Sequence, residues 1–228
     1  MLPRTLEPEV MDTVAEATDY DRMDHQSVNQ AFVDDLLRLV GSAARPSARE
    51  NALHCADLGT GTALIPLELM ARPVHFASII ACDLSLEMLK LARQHLRGTP
   101  WEQTVLPVFG DAGKLPLADK SCDVVMSNSI VHHIPDPICV FHEMRRIIRP
   151  AGFLFIRDLM RPSTASDVEH IVQTYAADEN AHQQQMFRQS LHAALTVDEV
   201  AAMLAESGFS AQMVAATSDR HWTVAGRG

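Results

Sequence analysis

A chain of 228 residues and 25.1 kDa has the length of one domain with an elaborated edge, at roughly 150 residues per domain. Hydrophobic residues make up 47% and charged residues 21%, which excludes disordered, collagen-like and disulfide-scaffold classes. The net charge of −10 disfavours a protein that binds nucleic acid by general phosphate neutralisation.

The first residues, Met1-Leu-Pro-Arg-Thr-Leu-Glu-Pro-Glu9, lack the basic and then apolar stretch of a signal peptide, and no apolar run reaches the ~18 residues of a membrane span. A cytoplasmic protein without a membrane span is therefore expected. Residues 10–40 are mainly helical in pattern, with Phe32, Val33, Leu36, Leu37, Leu39 and Val40 placed to pack on a sheet and the segment placed to fold over its mouth.

From residue 52 onward, short β-like apolar runs alternate with longer helix-period segments, the pattern of a parallel α/β sheet. Strands are predicted at Ala52–Ala56, Ala77–Cys82, Thr104–Phe109, Cys122–Ser127, Phe153–Arg157, Gln212–Ala216 and His221–Ala225. Helices are predicted over Thr62–Ala71, over Ser85–Leu96 with Ser85 as N-cap, and over Pro135–Ile148. The last of these is expected to stop at Pro150-Ala-Gly152. Residues 166–207 form a helical insertion after the fifth strand, with Thr196-Val-Asp-Glu199 as a capping box. The whole chain, 1–228, reads as one domain.

Cys55, Cys82, Cys122 and Cys139 each lie in or beside an apolar run, with no Cys-x-x-Cys pair; they read as buried thiols in a reducing compartment. His142-Glu143 begins like a zinc-protease motif, but Arg146 stands where the second His belongs. The histidines show no ligand spacing, and no metal is expected.

The strongest local signal is Asp57-Leu-Gly59-Thr-Gly61-Thr-Ala63, between a strand and a helix, where glycines let the chain turn tightly and a ligand approach the backbone. Two features argue against a nicotinamide dinucleotide. Leu64 replaces the third glycine, and Asp57 would repel a pyrophosphate. A ligand with a cationic ammonium, such as S-adenosylmethionine, is attracted instead. Asp83 ends the second strand, where a carboxylate can accept from both ribose hydroxyls. Asp111 follows the third strand, where it can accept from an adenine amino group while the Ala112 amide donates to the ring. Three acids in order at successive strand ends mark a ligand crevice.

With Asp57-Leu-Gly-Thr-Gly-Thr62, Asp83-Leu-Ser-Leu-Glu-Met-Leu89, Gly110-Asp-Ala-Gly-Lys-Leu-Pro-Leu-Ala-Asp-Lys-Ser-Cys-Asp123 and Ser127-Asn-Ser-Ile-Val-His-His-Ile-Pro-Asp136, the chain resembles class I S-adenosylmethionine-dependent methyltransferases over roughly residues 18–160. Within them it is most similar to the ubiquinone/menaquinone-biosynthesis methyltransferase-like group. The resemblance implies a Rossmann-like, seven-stranded, mostly parallel α/β sheet with its last strand antiparallel. It also implies a site in which Asp57, Gly59, Gly61 and Thr62 surround the methionine part of the cofactor, Asp83 and Leu84 the ribose, and Asp111 and Ala112 the adenine. Asn128 lines the methionine end and Tyr20, in Tyr20-Asp-Arg-Met23, helps to cover the cofactor. The chain departs from the quinone branch at Val131-His-His-Ile-Pro-Asp136 and Arg157-Asp158-Leu-Met-Arg161, which argues against a quinone acceptor.

Methyl transfer is an in-line displacement that gains most from positioning, and an acceptor of high pKa also loses a proton. His132, His133 and Asp158 are the catalytic candidates; His25, Arg157, Tyr175 and Arg188 are the candidates for substrate contact. The expected function is transfer of a methyl group from S-adenosylmethionine, leaving S-adenosylhomocysteine, to a small molecule rather than to nucleic acid. The oligomeric state stays open, a homodimer included. The alternatives are a cofactor-binding but non-catalytic regulator or scaffold of the same fold, and a nicotinamide-dependent oxidoreductase.

Overall fold

A computed structural model of the chain describes residues 2–7, 13–41 and 52–228. Residues 10–12 of the predicted N-terminal helical segment lie outside the described residues. Seven strands, β1 (Leu53–Leu58), β2 (Phe76–Asp83), β3 (Val105–Phe109), β4 (Cys122–Asn128), β5 (Ile148–Leu159), β6 (Val214–Ala216) and β7 (His221–Arg227), form one sheet in the order β3-β2-β1-β4-β5-β7-β6. The first five are mutually parallel, and β7 runs antiparallel to both β5 and β6. This is the Rossmann-like architecture expected, with its last strand antiparallel.

Eight helices accompany the sheet among the described residues: α1 (Val14–Arg22), α2 (Gln26–Val40), α3 (Leu64–Met70), α4 (Leu86–Leu96), α5 (Ile138–Ile147), α6 (Ala165–Tyr175), α7 (Ala181–Ala193) and α8 (Val197–Glu206). Alternation along the strands sorts the core into two layers. Cys55, Ile79, Met126, Phe153 and Phe155 face one side with Phe32, Val33 and Leu36 of α2 and Leu96 of α4; Ala56, Leu58, Leu154 and Ile156 face the other with Phe141 and Met144 of α5 and Leu204 of α8. The Phe32 and Phe155 rings meet edge to face at 4.9 Å, the arrangement that ring quadrupoles favour.

Local signals set most boundaries. The Ser85 hydroxyl accepts from the Met88 amide, and Thr196 and Glu199 form the predicted capping box. The end of α5 falls one residue before the expected Ile148. The helix ends at Ile147, and Ile148 already pairs with Cys122 as the start of β5. The residues 150–152 instead sit where the β4–β5 register shifts, and Ala151 takes a positive φ of 60°.

The strand order reverses between β1 and its two neighbours, β2 and β4. Connections leave this point in opposite directions and open a crevice beyond the carboxyl ends of the strands, where open α/β sheets bind ligands. Asp57, Asp83 and Asn128 all lie there.

Candidate active site

The turn after β1 is built by the main chain. The Gly59 and Thr60 amides both donate to the Cys82 carbonyl oxygen, at 2.8 and 2.9 Å, and the Gly61 amide donates to Asp83 Oδ2 at 2.8 Å. Gly59 has a φ of +73°, and a Cβ there would stand 2.0 Å from Ile130 Cγ2. Glycine is therefore required twice over, for the left-handed backbone and for the approach of Ile130.

Asp57 is buried, and its Oδ2 has no hydrogen-bond partner among the described residues. Burial pushes its carboxyl up to about 7, partly offset by the Thr60 hydroxyl and reinforced by the Asp83 charge. An unpartnered buried carboxylate oxygen is costly, and here it stands beside a turn whose glycines leave the backbone open. That combination fits a ligand carrying an ammonium group. The buried Thr62 hydroxyl is likewise unpartnered.

Asp83 spends one oxygen on the Gly61 amide and the other on the Ser85 amide, each at 2.8 Å. Burial raises its carboxyl and these amides restrain the rise. A carboxylate has about four acceptor sites, so acceptor capacity remains for a vicinal diol. Leu84 beside it is exposed, an apolar surface at the crevice edge. Asp111 is exposed and accepts from the Gly113 amide at 2.8 Å, and Ala112 packs against the core. The Asn128 side chain makes no hydrogen bond among the described residues.

Tyr20 stands over this turn. Its Cε1 lies 3.7 Å from where a Gly61 Cβ would be, and burial together with Asp83 and Asp57 raises its phenol. Helix α1 is pinned there by residues that sequence reasoning missed. His95 Nε2 lies 3.2 Å from Asp21 Oδ2, and His95 Nδ1 lies 3.0 Å from the Thr62 carbonyl oxygen.

On the far side of β4, the 3-10 turn Val131–His133 carries two of the three catalytic candidates, His132 and His133. Asp158 is fully buried; its Oδ2 accepts from the Val131 amide and its Oδ1 from the Leu159 amide, both at 2.6 Å, and Oδ1 lies 2.5 Å from His132 Nδ1. Burial opposes both charges, yet the mutual attraction wins: His132 is raised and Asp158 lowered. His133, exposed, bonds Glu7 through Nδ1, and the two histidine rings lie 4.0 Å apart.

Glu7 belongs to an N-terminal strap, residues 2–7, that the sequence analysis did not single out. The Arg4 guanidinium donates to the carbonyl oxygens of His132, Ile134, Pro135 and Ala193, and the Thr5 amide donates to that of His192. The strap thus ties the 3-10 turn to α7. Nothing local in Leu2–Glu7 signals this, because every partner lies more than a hundred residues away.

The four substrate candidates make their contacts outside this cluster. Arg157 follows the alternation of β5 to the α2 face, where it donates to Asp35 at 2.5 Å and to the Thr223 hydroxyl at 3.1 Å. The Tyr175 hydroxyl donates to Asp219 under the Arg220 guanidinium, and Arg188 pairs with Glu169 within the insertion. His25 accompanies Tyr20, its ring 4.4 Å away, and lines a surface cleft with Asn29 and Leu67. Glu143 of the rejected zinc motif accepts from the Leu115 amide and pairs with Arg146.

Residues 56–156 match a family described as a methyltransferase domain. Over that stretch, less than half of its length, the chain is similar to methyltransferase domains. It is 33% identical over 134 residues to a malonyl-[acyl-carrier protein] O-methyltransferase of Marinomonas sp. (strain MWYL1), covering 54% of this chain and 47% of that protein. It is also 33% identical over 107 residues to a demethylmenaquinone methyltransferase of Desulfitobacterium hafniense (strain Y51), covering 47% of this chain and 42% of that protein. The chain thus spans less than half the length of these curated relatives. A SAM-dependent methyltransferase structure from Aquifex aeolicus shares the fold, with a TM-score of 0.64 at 16% identity over 94% of this chain and 98% of that one. The matched stretch of the methyltransferase domain includes the glycine turn, Asp83, Asp111 and both histidines, and ends at Ile156, before Asp158.

Proposed function

We propose that the protein transfers a methyl group from S-adenosylmethionine to a small-molecule acceptor. The observation that carries this reading is the buried, unpartnered Asp57 Oδ2 beside the glycine turn, in a crevice whose other carboxylates, Asp83 and Asp111, also favour a cation. When bound, S-adenosylmethionine supplies a methyl group on a positively charged sulfur.

The chain's residues divide the remaining work. Asp57 accepts from the ammonium group, and the open acceptor sites of Asp83 take the ribose hydroxyls beside Leu84. Asp111 and the Ala112 amide hold the adenine, and Thr62 and Asn128 line the methionine end. Tyr20 closes the cover and excludes water, which strengthens each charge contact. An acceptor approaching from β4 passes the two histidines. With Nδ1 of His132 on Asp158 and Nδ1 of His133 on Glu7, Nε2 is the atom left on each ring to take the acceptor's proton. Asp158 fixes the tautomer and the ring plane.

The relatives are named for different acceptors, and the class of acceptor here rests on this chain's own residues. A net charge of −10 supports a small molecule over nucleic acid. Four free thiols, three of them buried, support a reducing, cytoplasmic setting. No helix among the described residues is long and apolar enough to cross a membrane.

Calorimetric titration with S-adenosylmethionine, S-adenosylhomocysteine and NADH tests the reading. Saturable micromolar binding of the first two, lost in Asp57→Ala, is expected, with no heat from NADH. Binding of NADH, or equal affinity in the variant, overturns it. Release of S-adenosylhomocysteine in a metabolite screen then separates an enzyme from a cofactor-binding scaffold.

A further inference from the structure

We propose that Glu7, His132 and His133 form a binding site for one divalent transition-metal ion of the zinc kind, held by two imidazoles and one carboxylate. One ligand atom of each lies within 4.8 Å of those of the other two. Two histidines and a carboxylate suit Zn2+ or Co2+ and leave coordination positions open to solvent or a ligand. The inference does not rest on the methyl-transfer reading.

Metal-binding histidines are held from behind by a group that takes the other ring proton, and carboxylate ligands are fixed by further hydrogen bonds. Both supports are built here. Asp158 Oδ1 lies 2.5 Å from His132 Nδ1 and is itself fixed by main-chain amides, so the proton of neutral His132 sits on Nδ1 and the lone pair on Nε2. The Ser190 hydroxyl donates to Glu7 Oε1 at 2.5 Å, which leaves Oε2 for a ligand bond. Oε2 is already in contact with His133 Nδ1. Bond lengths of 2.0–2.1 Å in tetrahedral geometry place ligand atoms about 3.4 Å apart, so the hydrogen-bonded Glu7–His133 pair must open and any wider pair close for an ion to enter.

The sequence analysis expected no metal because it looked for ligands at short spacing along the chain. Glu7 stands 126 positions from His133 and reaches it only because Arg4 and Thr5 dock the strap. A bound ion would replace the proton that Glu7 and His133 share and fasten the strap to the 3-10 turn. It would also convert the two rings from proton acceptors into ligands.

Protein stripped with a chelator is titrated with Zn2+ by calorimetry and with Co2+ by absorption, beside Glu7→Gln, His133→Asn and Ser190→Ala. One ion per chain at micromolar affinity or tighter is expected, with visible Co2+ bands. Affinity should fall at least a hundredfold in Glu7→Gln and His133→Asn, and about tenfold in Ser190→Ala, within the range for an outer partner. Residues 2–7 should gain protection from proteolysis in the loaded protein. Urea midpoints of each variant check its fold. No stoichiometric ion in the wild type, or unchanged affinity in folded Glu7→Gln and His133→Asn, overturns the proposal. Metal binding without any S-adenosylhomocysteine binding would overturn the cofactor reading and leave this one standing.

Discussion

The two sides of the crevice, which we propose to be a cofactor half and an acceptor half, are built by different means. Around β1 and β2 the geometry comes from the main chain: amides of Gly59, Thr60 and Gly61 bond the Cys82 carbonyl and Asp83, and a glycine admits Ile130. Around the 3-10 turn it comes from side chains of distant segments, with Asp158 behind His132, Glu7 on His133 and Arg4 across four carbonyl oxygens. A main-chain cradle tolerates little change in sequence and is written in a short motif. A side-chain assembly can be exchanged piece by piece, and a fold can change acceptors while keeping one cofactor.

The largest expected effect lies in the acceptor half. Asp158→Asn removes one charge of a buried pair whose carboxylate takes two amides, and such losses amount to about 3–5 kcal/mol. Urea unfolding should show it; a loss below about 1 kcal/mol would mean that the pair is not coupled to the fold. Next comes Gly59→Ala, where a left-handed backbone costs about 1–2 kcal/mol and the overlap with Ile130 adds about 1–3. Its unfolding midpoint should drop and its affinity for S-adenosylhomocysteine fall with it, which would sharpen the contrast if Asp158→Asn lowers stability but spares affinity.

Asp57→Ala acts on binding rather than on the fold. Losing a hydrogen bond to a charged group is worth about 1.5–3 kcal/mol, so calorimetry should show affinity for S-adenosylhomocysteine weakened by about ten- to a hundredfold. The pH dependence of binding is smaller. Asp57 is protonated in the free protein below about 7, and a cationic ligand selects the ionised form. Affinity should be full above that pH and fall by at most about tenfold per unit below it, with a proton released on binding. An affinity flat from about pH 5 to 8 would show that Asp57 does not meet the ammonium group. Smallest is Thr196→Ala, which removes the α8 cap and should lower stability by about 1 kcal/mol without touching either half.

Much of the cofactor half was legible in the sequence. Asp57 lies in β1, Asp83 ends β2 and Asp111 follows β3, because an apolar run bounded by a glycine turn specifies a strand end from its own residues. Ser85 and Thr196 announced their helices for the same reason, since a cap is a bond between residues three apart. The end of α5 was legible to within a residue, whereas the role of Pro150 to Gly152 at the β4–β5 register shift was not. Of the acceptor half, the sequence supplied His132, His133 and Asp158 by position but none of their partners.

Sequence alone thus determined the alternation of strands and helices, the acids at the strand ends and the glycine turn, all of which follow from steric and hydrogen-bonding preferences over a few neighbouring residues. Only the tertiary structure decided that Arg157 turns to Asp35, that Tyr175 and Arg188 pair within the insertion's surroundings, and that Glu7 reaches His133. Those choices depend on which segments packing brings together, and the polar groups so buried take whichever partner the fold leaves within about 3 Å.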